Sequence, residues 1–91
     1  DLNPIEEAEA YAMLSGKYHL SHEEIADRVG KSRPSIANSL RLLKLPPGIK
    51  FSLKTGKISA GHARAILSIR KSLQMMTLFQ KIIRDLSWSE I

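Results

Sequence analysis

The segment GKSRPSIANSLR, residues 30–41, has the pattern of a tight turn followed by the second helix of a helix-turn-helix. Gly30 tolerates the positive φ that such a turn requires. Ala26, four residues earlier, is small enough for two helices to cross closely, and Ile36 provides an apolar anchor in the second helix. The pattern alone is only moderately specific for a helix-turn-helix, because any helical hairpin with these small residues can imitate it.

The charge around this segment makes the signal stronger. Residues 31–71 contain ten Lys or Arg and no Asp or Glu. Residues 1–29 carry a net charge of −5 and residues 30–91 a net charge of +10. A basic surface without acids attracts a polyanion, and on a helix that follows a tight turn it points to duplex DNA. The alternative is that these residues are only a solvated face, although surfaces normally mix both signs.

Composition excludes several other classes of protein. The 91 residues suffice for one small domain with its own core. The absence of cysteine excludes disulfides and Cys-based zinc sites and fits a cytoplasmic location. His19, His22 and His62 lack metal-ligand spacing, and no nucleophile lies beside a base, so we expect neither a metal nor catalysis. No apolar run approaches the ~18 residues that span a bilayer.

The helix signals predict an all-α bundle of about six helices. The first helix runs from Pro4 to near Gly16 after the cap Asn3, with Glu6 as capping-box acid; the second lies between the cap Ser21 and the stop Gly30; and the third runs from the cap Ser32 to the stop at Pro46-Pro47. The fourth covers Gly48 to Thr55. The fifth runs from Ala60 to about Ile69 after the cap Ser59, and the sixth from Leu73 to about Asp85 after the cap Ser72. The spacing of apolar residues predicts that the inward-facing residues include Val29, Leu40, Leu43, Ile49 and Leu53. On the last helix, the predicted inner face consists of Met75, Leu78, Phe79, Ile82, Ile83 and Leu86.

The last residues suggest that the chain is part of something longer. Ser87 to Glu90 has the spacing of another capping box, which predicts the start of a truncated seventh helix. The alternative is that Trp88 folds back onto the core of a complete domain. We expect residues 1–91 to form a single DNA-binding domain, a fragment of a longer protein, with the helix-turn-helix at about 22–44 and supporting helices over 47–86.

Candidates for base readout lie on the second helix of the helix-turn-helix, whose N-terminal residues reach base edges. Arg33 has the fork that matches guanine, and a phosphate contact or a surface salt bridge is its alternative. Ser32 is expected to cap the helix. Ser35, Asn38 and Ser39 are further candidates, and an internal hydrogen bond is an equal alternative for Asn38.

Candidates for phosphate contacts lie in the turn and in a second segment. Lys31, Arg41 and Lys44 are basic residues of the first group. The segment SAGHAR, residues 59–64, places three small residues at a helix start, where free N–H groups can bind an anion. The candidates there and just before it are Lys57, Ser59, Gly61, His62 and Arg64. A core position is the alternative for His62.

Aromatic residues are too few for a single-strand binder, which stacks bases on aromatic rings. Only Phe51 lies inside the basic run, and its spacing predicts burial. The sequence therefore favours duplex DNA.

Several motifs in order give the chain a close resemblance to one family. They are Asp1 to Ala8 (DLNPIEEA), Val29 to Arg33 (VGKSR), Ile36 to Pro46 (IANSLRLLKLP) and Gly56 to Arg64 (GKISAGHAR). Together they resemble the central domain of ParB/Spo0J chromosome-partition proteins over nearly the whole chain.

The resemblance implies an all-α domain that binds the inverted repeat parS as a dimer, one half-site per subunit. It implies that the longer parent binds CTP and Mg²⁺. Most of that site is expected to lie outside these residues, because the arginine-rich motif of the CTP pocket has no counterpart here. It also implies a ParA/Soj-type ATPase as a partner of the parent, a nucleoid-associated location and no membrane. The specificity positions of the family match Arg33, Ser39, Lys44 and Gly61.

Three alternatives remain open from the sequence. A nucleoid-occlusion factor or a KorB-type repressor would bind another operator. An interaction module would instead dock an acidic protein on the basic face. A CTP hydrolase is the enzyme alternative for the parent.

Overall fold

Helix caps and glycine stops divide the chain into short helices. The computed structural model describes the backbone of residues 3–89 and the side chains of residues 3–87. Over these residues it contains six α-helices, one 3-10 turn and no strand. They are α1 (Pro4–Gly16), α2 (His22–Val29), α3 (Arg33–Arg41), the 3-10 turn Leu42–Lys44, α4 (Pro47–Lys54), α5 (Ala60–Leu67) and α6 (Ser72–Ser89). The all-α prediction is confirmed.

The chain divides into two compact units, residues 1–44 and residues 45–91. Whether they act as the single DNA-binding domain expected above stays a prediction.

The core of the first unit is built where α1 and α2 pack against α3. Tyr11, Ile25, Ala26 and Ile36 form a buried cluster, and Leu14, Leu20 and Leu40 pack against it while partly exposed. Ile25 and Ile36 are completely buried. Truncating such a residue to Ala costs about 2–5 kcal/mol in a packed core, so this cluster holds the helix-turn-helix together.

The capping residues of the first unit lie where the sequence predicts them. The Asn3 side chain accepts a hydrogen bond from the Glu6 N–H at 2.9 Å, and the Asn3 amide donates to the Glu6 carboxylate at 2.6 Å. Ser21 and Glu24 form a complete capping box at the start of α2. These bonds satisfy N–H groups that a helix start leaves without an intrahelical partner.

Two burial predictions in the first unit are wrong. Val29 is 38% exposed, because it is the last residue of α2 and the turn that follows it is exposed. The third helix ends at Arg41 rather than at the prolines, and its last turn is a 3-10 turn. Three residues per turn change the phase of the apolar stripe after Arg41, so Leu42 is buried, whereas Leu43 is only half-buried. Leu40, within α3, packs against the core cluster while partly exposed.

The second unit packs α5 against both α4 and α6. Its buried residues are Leu45, Ile49, Ser52, Leu53, Ile58, Ala63 and Ile66. Gly56 follows α4 with a φ of 80°, a conformation that favours glycine. The Ser52 carbonyl then accepts from the Lys57 N–H at 2.8 Å and from the Ile58 N–H at 3.3 Å. This closed turn fixes the approach to α5.

The predicted burial of Phe51 is wrong, since its side chain is 60% exposed. Ile49 and Leu53 face the core as expected. Phe51 lies two residues from each of them, which is about 200° around a helix of 3.6 residues per turn. It therefore faces away from the core.

Helix α6 also differs from its prediction. It begins at Ser72 instead of being capped by it, and it continues through Ser87 to Ser89. The predicted start of a seventh helix at Ser87 is therefore wrong, while Glu90, Ile91 and the Trp88 side chain lie outside the described residues. The apolar face of α6 is half-buried throughout, and Leu73 is 81% exposed. Among the helices that the structure describes, none has the length and hydropathy of a membrane span.

Candidate nucleic-acid interface

The turn between α2 and α3 has a fixed backbone. Gly30 adopts a left-handed conformation with φ 72°. The N–H groups of Gly30 and Lys31 both donate to the Ala26 carbonyl, the latter at 3.0 Å. Glycine is favoured at this end of a helix because a side chain would be strained there. The turn thus holds the start of α3 in one orientation.

The start of α3 presents Arg33 to solvent. Ser32 caps the helix, since its Oγ accepts from the Ser35 N–H at 3.2 Å. The Ser32 hydroxyl therefore has the capping role that the sequence predicts. Pro34 lies in the first turn, where its missing N–H costs nothing. Arg33 is exposed and makes no ion pair with any described residue, so its guanidinium is available to a ligand.

The remaining candidates on α3 divide by helix face. Ile36 is fully buried. Asn38 lies about 200° from it and is exposed, and Arg41 lies one turn beyond Asn38 and is also exposed. Ser35 and Ser39 lie nearer the buried side and are half-exposed. No side-chain hydrogen bond joins Asn38 to the part of the chain that the structure describes, which favours an external contact over the internal bond.

Two lysines flank α3. Lys44 ends the 3-10 turn and is exposed. The Lys31 Nζ lies 3.5 Å from the Glu7 Oε1, and the two side chains are 43% and 34% exposed. Glu7 is not among the predicted site residues. No local signal indicates it, because Glu7 and Lys31 are far apart in sequence and meet only in the folded chain, where α1 packs against α3 and Lys31 lies just before α3.

In the second unit, α5 begins with a capping box in which His62 takes the place of the usual Glu or Gln. The Ser59 Oγ accepts from the His62 N–H at 3.1 Å, and the Ser59 N–H donates to the His62 Nδ1 at 3.1 Å. Because Nδ1 accepts this bond, it carries no hydrogen, and the neutral ring has its hydrogen on Nε2. The half-buried His62 is thus a capping residue whose Nε2–H remains a possible donor.

Gly61, the second residue of α5, has space around it. A Cβ built there would lie 3.6 Å from the Ser59 Oγ and 3.9 Å from the Arg64 Nη2. Both are ordinary van der Waals distances, so none of the described residues requires glycine at this position. Lys57, Ser59 and Arg64 are exposed around it.

The structure therefore brings the thirteen candidates together in two groups. Lys31, Ser32, Arg33, Ser35, Asn38, Ser39, Arg41 and Lys44 belong to the first unit, and Lys57, Ser59, Gly61, His62 and Arg64 to the second. The first group extends from the capped start of α3 to the 3-10 turn after it, and the second lies at or beside the capped start of α5. No Asp or Glu lies between residues 31 and 71, and among the described residues the acidic side chain that pairs with a candidate is Glu7, on Lys31. Within the described residues, no three His, Asp or Glu side chains are placed to hold a metal ion.

Comparison with known proteins gives one consistent result. The ParB HTH domain family matches residues 1–89. Stage 0 sporulation protein J of Bacillus subtilis is 45% identical over 85 residues, which cover 93% of this chain and 30% of that protein. The chain spans only 26–30% of the length of the first curated relatives that it matches.

Two solved structures are also similar. A DNA-binding domain of the chromosome-partitioning protein ParB, complexed to the centromeric parS site, has a TM-score of 0.84 and 41% identity and covers 93% of this chain and 68% of that one. A C-terminally truncated ParB from Caulobacter crescentus, complexed with CTP-gamma-S, has a TM-score of 0.72 and 40% identity and covers 87% of this chain and 44% of that one.

Proposed function

Because the chain belongs to the ParB/Spo0J family of chromosome-partitioning proteins, we propose that it binds the centromere-like inverted repeat parS in duplex DNA and serves DNA segregation. The observation that carries this proposal is Arg33 in the first turn of α3, behind a turn fixed by Gly30. Its side chain is exposed and makes no ion pair with a described residue. A helix start held in this way can enter the major groove, where N-terminal residues reach base edges. The likeness to a parS-bound domain supports it.

The residues divide into two roles under this proposal. Arg33 reads guanine through its two parallel donors. Asn38, which is also exposed on α3, is a further residue for base readout. Phosphates are bound by Lys31, Arg41, Lys44, Lys57 and the start of α5, where Gly61 permits close approach and His62 offers its Nε2–H. Ser35 and Ser39 on α3 are further residues for base readout, and Arg64 on α5 is a further DNA contact. An inverted repeat has two half-sites, so two copies bind together, one on each.

The longer parent has further functions that we place outside these residues. CTP with Mg²⁺ is used by the parent, which a CTP-gamma-S complex of a similar protein supports. A ParA/Soj-type ATPase is its partner, and the cytoplasmic nucleoid is its location. The 91 residues themselves act as a DNA-binding domain and not as an enzyme.

Two substitutions test the assignment of roles. Arg33→Ala should weaken binding to parS by about 1–3 kcal/mol and leave binding to a scrambled duplex little changed. Lys57→Ala should weaken both duplexes alike and reduce the salt slope by about 1. Fluorescence anisotropy over a salt series measures both. Unchanged parS preference in Arg33→Ala would refute the readout role, and binding only to a nucleoid-occlusion or KorB-type operator would refute parS as the site.

A further inference from the structure

Lys31 occupies the entrance to α3, next to the cap Ser32 and to Arg33. Its backbone is held by the bond from its N–H to the Ala26 carbonyl at 3.0 Å. Because the Lys31 backbone is fixed close to Arg33, the proposed base-reading residue, the Lys31 side chain is well placed to reach a nearby DNA phosphate.

The charge of Lys31 is nevertheless already partly neutralised. Its Nζ lies 3.5 Å from the Glu7 Oε1. Glu7 is also fixed, because its N–H donates to the Asn3 carbonyl at 3.0 Å in the first turn of α1. Helix α1, which carries Glu7, packs against α3, and Lys31 lies in the turn directly before α3, so the fold presents the carboxylate to the lysine. A carboxylate at this place repels an approaching phosphate and competes for the same ammonium group.

We propose that Glu7 is an intramolecular competitor of the DNA phosphate for Lys31, and that it lowers the affinity of the chain for duplexes of any sequence. This inference rests on the proposed function, since it assumes that the face around α3 binds DNA. Phosphates are present in every sequence, so the effect is equal for parS and other DNA. Glu7 thereby limits electrostatic binding without changing which bases are read.

The competition has a signature in the salt dependence of binding. A new lysine–phosphate contact releases about one counterion from DNA. In the wild-type chain, the carboxylate that is left behind attracts a cation again, which offsets part of this release. Without the carboxylate, the slope of log K against log salt should therefore be steeper by up to about 1. A purely structural role of Glu7 would not produce this change.

The test compares Glu7→Gln with Glu9→Gln, which makes the same charge change on the same helix. Glu9 is exposed and forms no ion pair with any residue that the structure describes. Fluorescence anisotropy is measured on a parS duplex and a scrambled duplex at several salt concentrations. At about 50 mM salt, Glu7→Gln should bind both duplexes about two- to fivefold more tightly than Glu9→Gln, the range expected from releasing an exposed ion pair.

The double variant completes the test. In a Lys31→Gln background, Glu7→Gln should give no gain beyond that of Glu9→Gln. The inference is overturned if Glu7→Gln binds no more tightly than Glu9→Gln, if its gain persists without Lys31, or if the salt slope is unchanged. Failure of the proposed function is a separate outcome, because it is an equal affinity of the wild-type chain for the two duplexes. Thermal melting of each variant confirms that it is folded.

Discussion

At the scale of the residue, Arg33 contributes through its side chain, whereas Gly61 contributes through its lack of one. Arg33 uses the fixed turn before α3 to reach outward, and its own side chain has no partner among the described residues. Gly61 has no side chain and has room for one. What Gly61 provides is a bare backbone at the start of α5, which matters only if another molecule comes close to it.

Gly61→Ala separates these two possibilities. Alanine is favoured over glycine within a helix by about 0.5–1 kcal/mol, and the space at Gly61 accepts a Cβ. The variant should therefore be as stable as the wild type or more stable, while its affinity for parS falls. Thermal melting and anisotropy measure the two effects. A destabilised variant, or one with unchanged affinity, would contradict the close approach of DNA at Gly61.

At the scale of the element, local signals predicted the starts of α1, α2, α3 and α5 but not the start of α6 or the buried faces. Asn3, Ser21, Ser32 and Ser59 all cap helices as the sequence predicts, because a cap bonds to a residue two or three positions away. Burial depends on the neighbouring helices. The 3-10 turn after Arg41 changed which leucine is buried, and no sequence period contains that change.

The capping box of α2 should make stability depend on pH. The pKa of the Glu24 carboxyl lies below its ordinary value. The largest cause is the hydrogen bond from the Ser21 N–H, followed by the hydrogen bond with the Ser21 hydroxyl and by the charge of Arg28. A lowered native pKa means that the ionised carboxylate stabilises the fold above the unfolded pKa, and that this contribution is lost as the pH falls through the native pKa.

Glu24→Gln should therefore lower the melting temperature at pH 7, and the difference from the wild type should vanish on acidification below the native pKa. Glu23→Gln is the matched control, because Glu23 lies in the same first turn of α2 and does not take part in the box. Melting curves at neutral and acidic pH provide the measurement. A difference that stays constant with pH would show that the charge of Glu24 does not stabilise α2.

At the scale of the whole molecule, the sequence predicted the fold class and the family, and it did not predict how the acidic and basic halves meet. Capping signals and motif order are written in short segments, so both were readable. The Glu7–Lys31 pair joins residues from the two halves, and the prediction of a seventh helix was wrong because α6 continues through Ser87. The pair depends on packing between elements that are distant in sequence, whereas the capping-box pattern at Ser87 is a local signal that lies inside the continuing helix α6. The thirteen site residues stay predictions until DNA binding is measured.

The central claim is that this chain distinguishes parS from other duplexes. The direct measurement is the anisotropy of a fluorescent parS duplex and of a scrambled duplex with the wild-type chain at about 150 mM salt, where non-specific binding is weak. We expect parS to bind at least tenfold more tightly, because base contacts are worth about 1–3 kcal/mol each. Equal binding to the two duplexes would contradict the account.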